Sequence, residues 1–216
     1  MKNKALIQNI FVFIALVAPF VYAYMIWDML PEQVALHYGM DNKPNRYGAK
    51  SDLLLPVCLI MGVSLIVYFI VKNIEKIDPK RTAKTPKDTL NKLAFTLMIF
   101  MSGLSIYILQ AALKNETSSF IFVLIGLLFI AMGNLMHSLK PSYFIGIRLP
   151  WTLENEDNWR KTHQLGSKIW VAGGLVMLLA ALIAPEKIMV LVVIGVALLM
   201  VAIPAVYSYQ IHQKNA

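Results

Sequence analysis

The chain has 216 residues, 58% of them hydrophobic and 15% charged, with a formal net charge of +8. Soluble domains average about 45–50% apolar and about 25% charged residues, so a water-soluble globular fold is excluded, and the basic excess is read by its placement along a membrane protein rather than as a nucleic-acid footprint. A lone cysteine, Cys58, excludes an intrachain disulfide and a cysteine-based metal centre.

A helix needs about 20 apolar residues to cross about 30 Å of hydrocarbon. Six stretches qualify: residues 6–27, 53–71, 93–113, 120–139, 169–184 and 188–209. Backbone groups in lipid must be satisfied within the segment, which makes these helices. The first stretch follows Met1-Lys2-Asn3-Lys4 and outruns the h-region of a signal peptide, about 7–15 residues, so it reads as an uncleaved span. The fifth is short, and Lys168 can snorkel at its start. The expected fold is all-α: a polytopic membrane protein with six transmembrane helices. With the N-terminus inside, fifteen of the twenty Lys and Arg fall on the inner segments, so the positive-inside rule gives an N-in/C-in topology.

The first polar segment, residues 28–52, then faces out. It is rich in turn formers and carries His37, Tyr38, Arg46, Tyr47 and Lys50. That aromatic and basic set suits apolar contact and hydrogen bonding to a peptide; an ordinary capped re-entry loop is the other reading. No second histidine stands in this loop to make His37 a metal ligand. Residues 1–72 form an N-terminal two-span unit. Residues 73–92, with Pro79, Pro86 and a run of Lys and Arg, read as a mobile basic cytoplasmic connector beside anionic lipid. Residues 93–216 form a C-terminal four-span unit.

Within that unit lies a cytoplasmic insert, residues 140–168. Pro141 stops the fourth helix, and Gly146 and Pro150 break regular structure. Arg148, near the membrane face, is expected to meet protein carbonyls, a carboxylate or lipid phosphate. Thr152, with Asn155 as second choice, is the expected N-cap of a short interfacial helix over residues 153–164, before span five. Glu154, Glu156 and Asp157 favour its first turns, and Glu156–Arg160 and Asp157–Lys161 have i,i+4 spacing. Trp151, Trp159 and Trp170 fall near headgroup level. The acids spread around the helix, and His163 has no metal-motif spacing. No acid–base set converges, so no enzyme, cofactor or metal is expected. Inside the spans, Gly133, Asn134, Gly173, Gly174 and Gly195 read as helix-packing positions.

The segment GIRLPWTLENEDNWRKTHQLGSKIWVAGG resembles the C-terminal signature of the SdpI-like family of bacterial membrane immunity proteins. Gly146, Ile147, Arg148, Pro150, Trp151, Thr152, Leu153, Trp159, Lys161, Thr162 and His163 carry the match, and Leu149 stands where Thr is usual. Gly133-Asn134 fits a Gly-Asn of the same family. The stretch LPEQVALHYGMDNKPNRYGAK resembles the small domain of unknown function that opens many members, through Pro31, His37, Tyr38, Pro44, Arg46, Tyr47, Gly48 and Lys50, with Asn42 and Asn45 as departures.

The resemblance implies a multi-pass protein of the bacterial plasma membrane that protects its producer from a secreted membrane-active killing peptide. It also implies, in some members, capture of a cytoplasmic helix-turn-helix autorepressor. The insert (Gly146, Arg148, Pro150, Trp151, Thr152, Trp159, Lys161 and His163) and the basic connector are then the natural capture surface. Membrane lipid is the remaining partner, and no direct contact with nucleic acid is expected. The rival class is a small membrane transporter or channel, which needs a polar lining that the spans do not supply.

Overall fold

The computed structural model describes residues 2–39, 43–78 and 85–215. In chain order it contains α1 (Lys2–Ile26), a 3-10 turn (Trp27–Met29), β1 (Gln33–Tyr38), β2 (Pro44–Ala49), a second 3-10 turn (Lys50–Leu53) and α2 (Leu54–Lys72). There follow a single turn, α3 (Ile74–Ile77), then α4 (Lys87–Lys114), α5 (Phe120–Met136), α6 (Pro150–Glu154), α7 (Glu156–Ile183) and α8 (Glu186–Asn215). Among the described residues, five helices are long and apolar enough to cross a membrane, and α5 is a shorter apolar helix. Their outward faces are greasy: Leu182, Ile183 and Leu191 are 77%, 84% and 68% exposed. Contiguous apolar surface of that extent belongs against lipid, and the chain is a multi-pass membrane protein.

The fold is mostly helical but not all-α. The segment expected as a turn-rich loop folds as an antiparallel hairpin, pairing Gln33 with Ala49, Val34 with Gly48 and Ala35 with Tyr47. The register shifts between Ala35 and His37 and again between His37 and Tyr38.

Helices α1, α2 and α4 share a core. Val12 and Ala15 of α1, Met61 and Tyr68 of α2, and Leu93 and Met98 of α4 pack together at one end. Ala23, Ile26, Val57, Leu109 and Ala112 pack with Val34 of the hairpin at the other. Polar groups in this seam are satisfied locally, with Ser64 Oγ on Met98 Sδ and Ser105 Oγ on Met61 Sδ.

On the other side, α7 packs between α5 and α8. A Cβ on Gly174 would come within 2.6 Å of the Gly126 carbonyl, and one on Gly133 within 2.9 Å of the Val171 nitrogen. These glycines let α5 and α7 meet backbone to backbone. Asn134, expected beside Gly133 as a packing residue, is exposed, because successive helical residues diverge by about 100°. Gly195 likewise has no neighbour within 4 Å of its Cβ position; it faces outward and is not a packing position.

Two ends of the bundle follow. The hairpin and the α4–α5 and α7–α8 turns lie at one, where Ser119 Oγ donates to Glu186 Oε1 at 3.4 Å. The start of α4, the insert and the last turns of α8 lie at the other.

Candidate functional site

At the hairpin end, Asn115 closes α4 in the left-handed conformation, φ 50°. Asn tolerates that geometry where most residues do not. Its Oδ1 accepts the Ala35 N–H at 2.7 Å and its Nδ2 donates to the Gln33 carbonyl at 3.4 Å, so β1 is pinned to the end of α4. Tyr38 adds a third tie, its hydroxyl donating to the Ala111 carbonyl at 3.2 Å.

Of the residues singled out in this loop, Tyr38 therefore points inward. Lys50 is also engaged, 3.0 Å from Glu32 Oε1 and over the Trp27 ring. His37 Nδ1 lies 2.7 Å from Asn45 Oδ1. His37, Arg46 and Tyr47 remain exposed and form the accessible part of the set.

At the insert end the chain leaves α5 and crosses the bundle before turning into α6. Ser142 begins this crossing: its hydroxyl accepts the N–H groups of Phe144 and Ile145 and donates to Asp78 Oδ2, which also accepts the Tyr143 N–H. Thr85 Oγ1 accepts the Lys140 N–H. Both ends of the expected mobile connector are thus built into the structure, with Asp78 and Thr85 buried; its residues 79–84, including Lys80, Arg81 and Lys84, lie outside the described residues.

Trp159, 1% exposed, fixes the crossing segment. Its Nε1–H donates to the Leu139 carbonyl at 2.9 Å, and its ring stacks on His163 with centroids 3.9 Å apart. The Ile147 N–H donates to His163 Nε2 at 2.9 Å, while Nδ1 lies 2.8 Å from the Trp159 carbonyl oxygen. A carbonyl only accepts, so Nδ1 carries the proton and Nε2 the lone pair. Gly146, at φ +111°, lies against the edges of both rings, and a Cβ there would sit 2.5 Å from His163 Nε2 and 2.8 Å from the Trp159 ring. The Gly-Ile pair of the signature is therefore a backbone strap seated on an indole–imidazole stack.

Thr152 Oγ1 accepts the Leu149 N–H and sits 2.9 Å from the carbonyls of Ile147 and Leu149, one of which takes its proton. Pro150 occupies the first turn of α6, where its missing N–H costs nothing. Trp151 Nε1–H donates to Ser208 Oγ and its ring stacks on His212 of α8. Asn158 Nδ2 donates to the Ser208 carbonyl, and its Oδ1 accepts from Thr162.

Arg148 is exposed and donates to the Tyr143 carbonyl at 2.7 Å, one of the partners expected for it. Lys161 and Arg160 both pair with Asp157, each at 2.6 Å. The large apolar side chains the insert leaves exposed are Tyr143 and Phe144, 52% and 47% exposed, and Arg148 is exposed nearby in the chain.

The separate interfacial helix expected over residues 153–164 is corrected. Only one turn, α6, precedes span five; Asn155 caps the next helix, accepting the N–H groups of Asp157 and Asn158, and α7 then continues unbroken to Ile183. No breaker interrupts it, because Gly166 is buried against Met136 and Ile147, where a side chain would clash.

Sequence reasoning missed Asp78, Thr85, Asn115, Asn158 and Ser208. Asn115 alone had a legible signal, an Asn just past a long apolar run and its closing Lys114.

Both His163 nitrogens are committed, and among the described residues no buried side-chain nitrogen or oxygen lacks a partner.

Comparison with known proteins agrees with these two constructions. Residues 138–208 match the SdpI/YfhL protein family, and residues 14–61 match a domain of unknown function, DUF1648. The first match spans the insert, α6, α7 and most of α8; the second spans the hairpin with the adjoining parts of α1 and α2. Over 207 residues, 96% of this chain and 97% of the relative, the sequence is 23% identical to Immunity protein SdpI of Bacillus subtilis (strain 168). No solved structure matches the chain significantly. Both resemblances read from the sequence are borne out.

Proposed function

We propose, because residues 138–208 match the SdpI/YfhL protein family and residues 14–61 match DUF1648, that this multi-pass protein is an immunity protein of the bacterial plasma membrane. It protects its producer from a secreted membrane-active killing peptide, which it meets at the hairpin. The similarity to Immunity protein SdpI supports this reading, and the placement of basic residues supports an N-in/C-in topology with the hairpin outside. In this reading α5 also crosses, as the fourth span in chain order, which brings the number of spans to six. It begins at the hairpin end and finishes at the insert end, and its 17 residues match the lower limit for crossing, about 17.

A second role, capture of a cytoplasmic repressor when peptide is bound, needs a body that touches both ends. One observation supports it: the segment built around α4 is hydrogen-bonded to the hairpin through Ala111 and Asn115 and to the insert through Thr85. A 28-residue helix is about 42 Å long, so a tilt or shift at one end is delivered to the other. Peptide can shift such an equilibrium only by binding one position better. Tyr143, Phe144 and Arg148 then form the surface a repressor would meet.

The test is survival. A strain killed by the secreted peptide of the encoding organism is transformed with the intact chain or an empty vector, with membrane insertion verified. Protection by the chain is expected; equal killing of both strains rejects immunity.

A further inference from the structure

Lys72 ends α2, Lys76 lies in the α3 turn and Lys87 begins α4, and together with Asn73, Leu90 and Asn91 they line one pocket of about 270 Å³. The turn that assembles it is built: Asn73 Nδ2 donates to the Phe69 carbonyl at 2.9 Å as α2 ends, and Ile74 anchors α3 with 1% exposure. Lys72 is oriented by Tyr68, whose hydroxyl accepts from Nζ at 3.1 Å and whose ring centre is 5.1 Å away. Neither contact neutralises its charge. Among the described residues no carboxylate pairs with Lys72 or Lys76.

Asn91 is shared with a second, larger cavity of about 450 Å³ between α1 and α4, lined by Ile7, Gln8, Phe11 and Phe95, with Asp88 and Lys92 at its rim. Asp88 is held by Lys92 at 2.7 Å. The cavity wall is apolar, and Phe11 meets Phe95 edge to face at 6.4 Å. Gln8 bridges the two helices by donating to the Asn91 carbonyl. A cationic pocket thus adjoins a largely apolar groove, the two sharing Asn91.

We propose that this pocket and groove bind one anionic glycerophospholipid of the leaflet at the insert end, its phosphate among Lys72, Lys76 and Lys87 and one acyl chain along Ile7, Phe11 and Phe95. Basic pockets between transmembrane helices recognise acidic headgroups in this manner. Charge complementarity selects the occupant: a zwitterionic lipid fills the groove equally well but brings its own cation to the lysines. Because the site joins α1, α2 and α4, an occupied site clamps the start of α4. The inference is independent of the immunity reading.

Native mass spectrometry of the full-length, delipidated protein tests it, with equimolar dioleoyl phosphatidylglycerol and dioleoyl phosphatidylcholine. Bound phosphatidylglycerol is expected to exceed phosphatidylcholine at least about fivefold, the order of one lysine's attraction to an acidic headgroup. The variant K72Q/K76Q/K87Q is expected to bring the ratio near one, while K72R/K76R/K87R, which keeps the charges, retains it and controls for folding. Millimolar glycerol 3-phosphate, carrying the phosphate without acyl chains, is expected to displace nothing. Equal retention of both lipids by the unmodified protein, an unchanged ratio in the glutamine variant, or displacement by glycerol 3-phosphate would overturn the proposal.

Discussion

Ala35 and Asn115 stand 80 positions apart and are joined by a 2.7 Å hydrogen bond from the N–H of an edge strand to the side chain that ends α4. A two-stranded hairpin is marginal alone in water. Here its stability and orientation come from the helix beneath it, so anything that grips the hairpin also pulls on α4.

Replacing Asn115 therefore has a specific consequence. Asn115→Gly keeps the left-handed cap and removes both side-chain bonds, at a cost of about 1–2 kcal/mol. Asn115→Ala also loses the conformational tolerance and costs more. Limited proteolysis at the hairpin should accelerate in the order wild type, glycine variant, alanine variant, with the helical bundle intact. Equal resistance of all three contradicts the pinning.

Gly146 makes the second prediction. Its φ of +111° and a Cβ position 2.5 Å from His163 Nε2 combine backbone strain of about 1–3 kcal/mol with overpacking of about 1–3 kcal/mol. Gly146→Ala should lower the unfolding temperature in detergent and loosen the strap, seen as faster cleavage around Tyr143 and Phe144. An alanine variant as stable as the parent would show that the strap is not seated on Trp159 and His163.

A paired comparison tests the α5–α7 contact. Gly174→Ala forces a methyl to within 2.6 Å of the Gly126 carbonyl, whereas Gly195→Ala meets nothing within 4 Å. The first should destabilise by about 1–3 kcal/mol and the second by no more than a few tenths, measured by thermal unfolding of the purified proteins. Equal effects would contradict the close α5–α7 approach at Gly174.

These contrasts show what the residues disclosed in order and what they did not. Long apolar runs mark helices because only a helix satisfies its own backbone in lipid, and five of the expected spans correspond to long helices of that kind. The hairpin was hidden because Pro44 and Gly48 argue against a strand, and because the group completing β1 comes from Asn115, far along the chain. In the insert, the residue types were legible but their partners were not: Trp159 reaches back to Leu139, Asn158 reaches forward to Ser208. Facing was the weakest inference. Gly133 and Asn134 look alike as a pair, yet only the structure separates the one against α7 from the one turned outward.

Sidedness has its own test. Tyr47 in the hairpin and Tyr143 in the insert are both 52% exposed, which makes them matched reporters. In a Cys58→Ser background, Tyr47→Cys should react with a membrane-impermeant maleimide on intact protoplasts, and Tyr143→Cys only after lysis. The reverse pattern inverts the molecule.

The most direct measurement replaces Tyr47 or Tyr143 with a photoactivatable phenylalanine analogue and adds labelled killing peptide to protected cells before irradiation. Peptide docked at the hairpin crosslinks at position 47 and not at position 143. Crosslinking confined to position 143 would contradict the account.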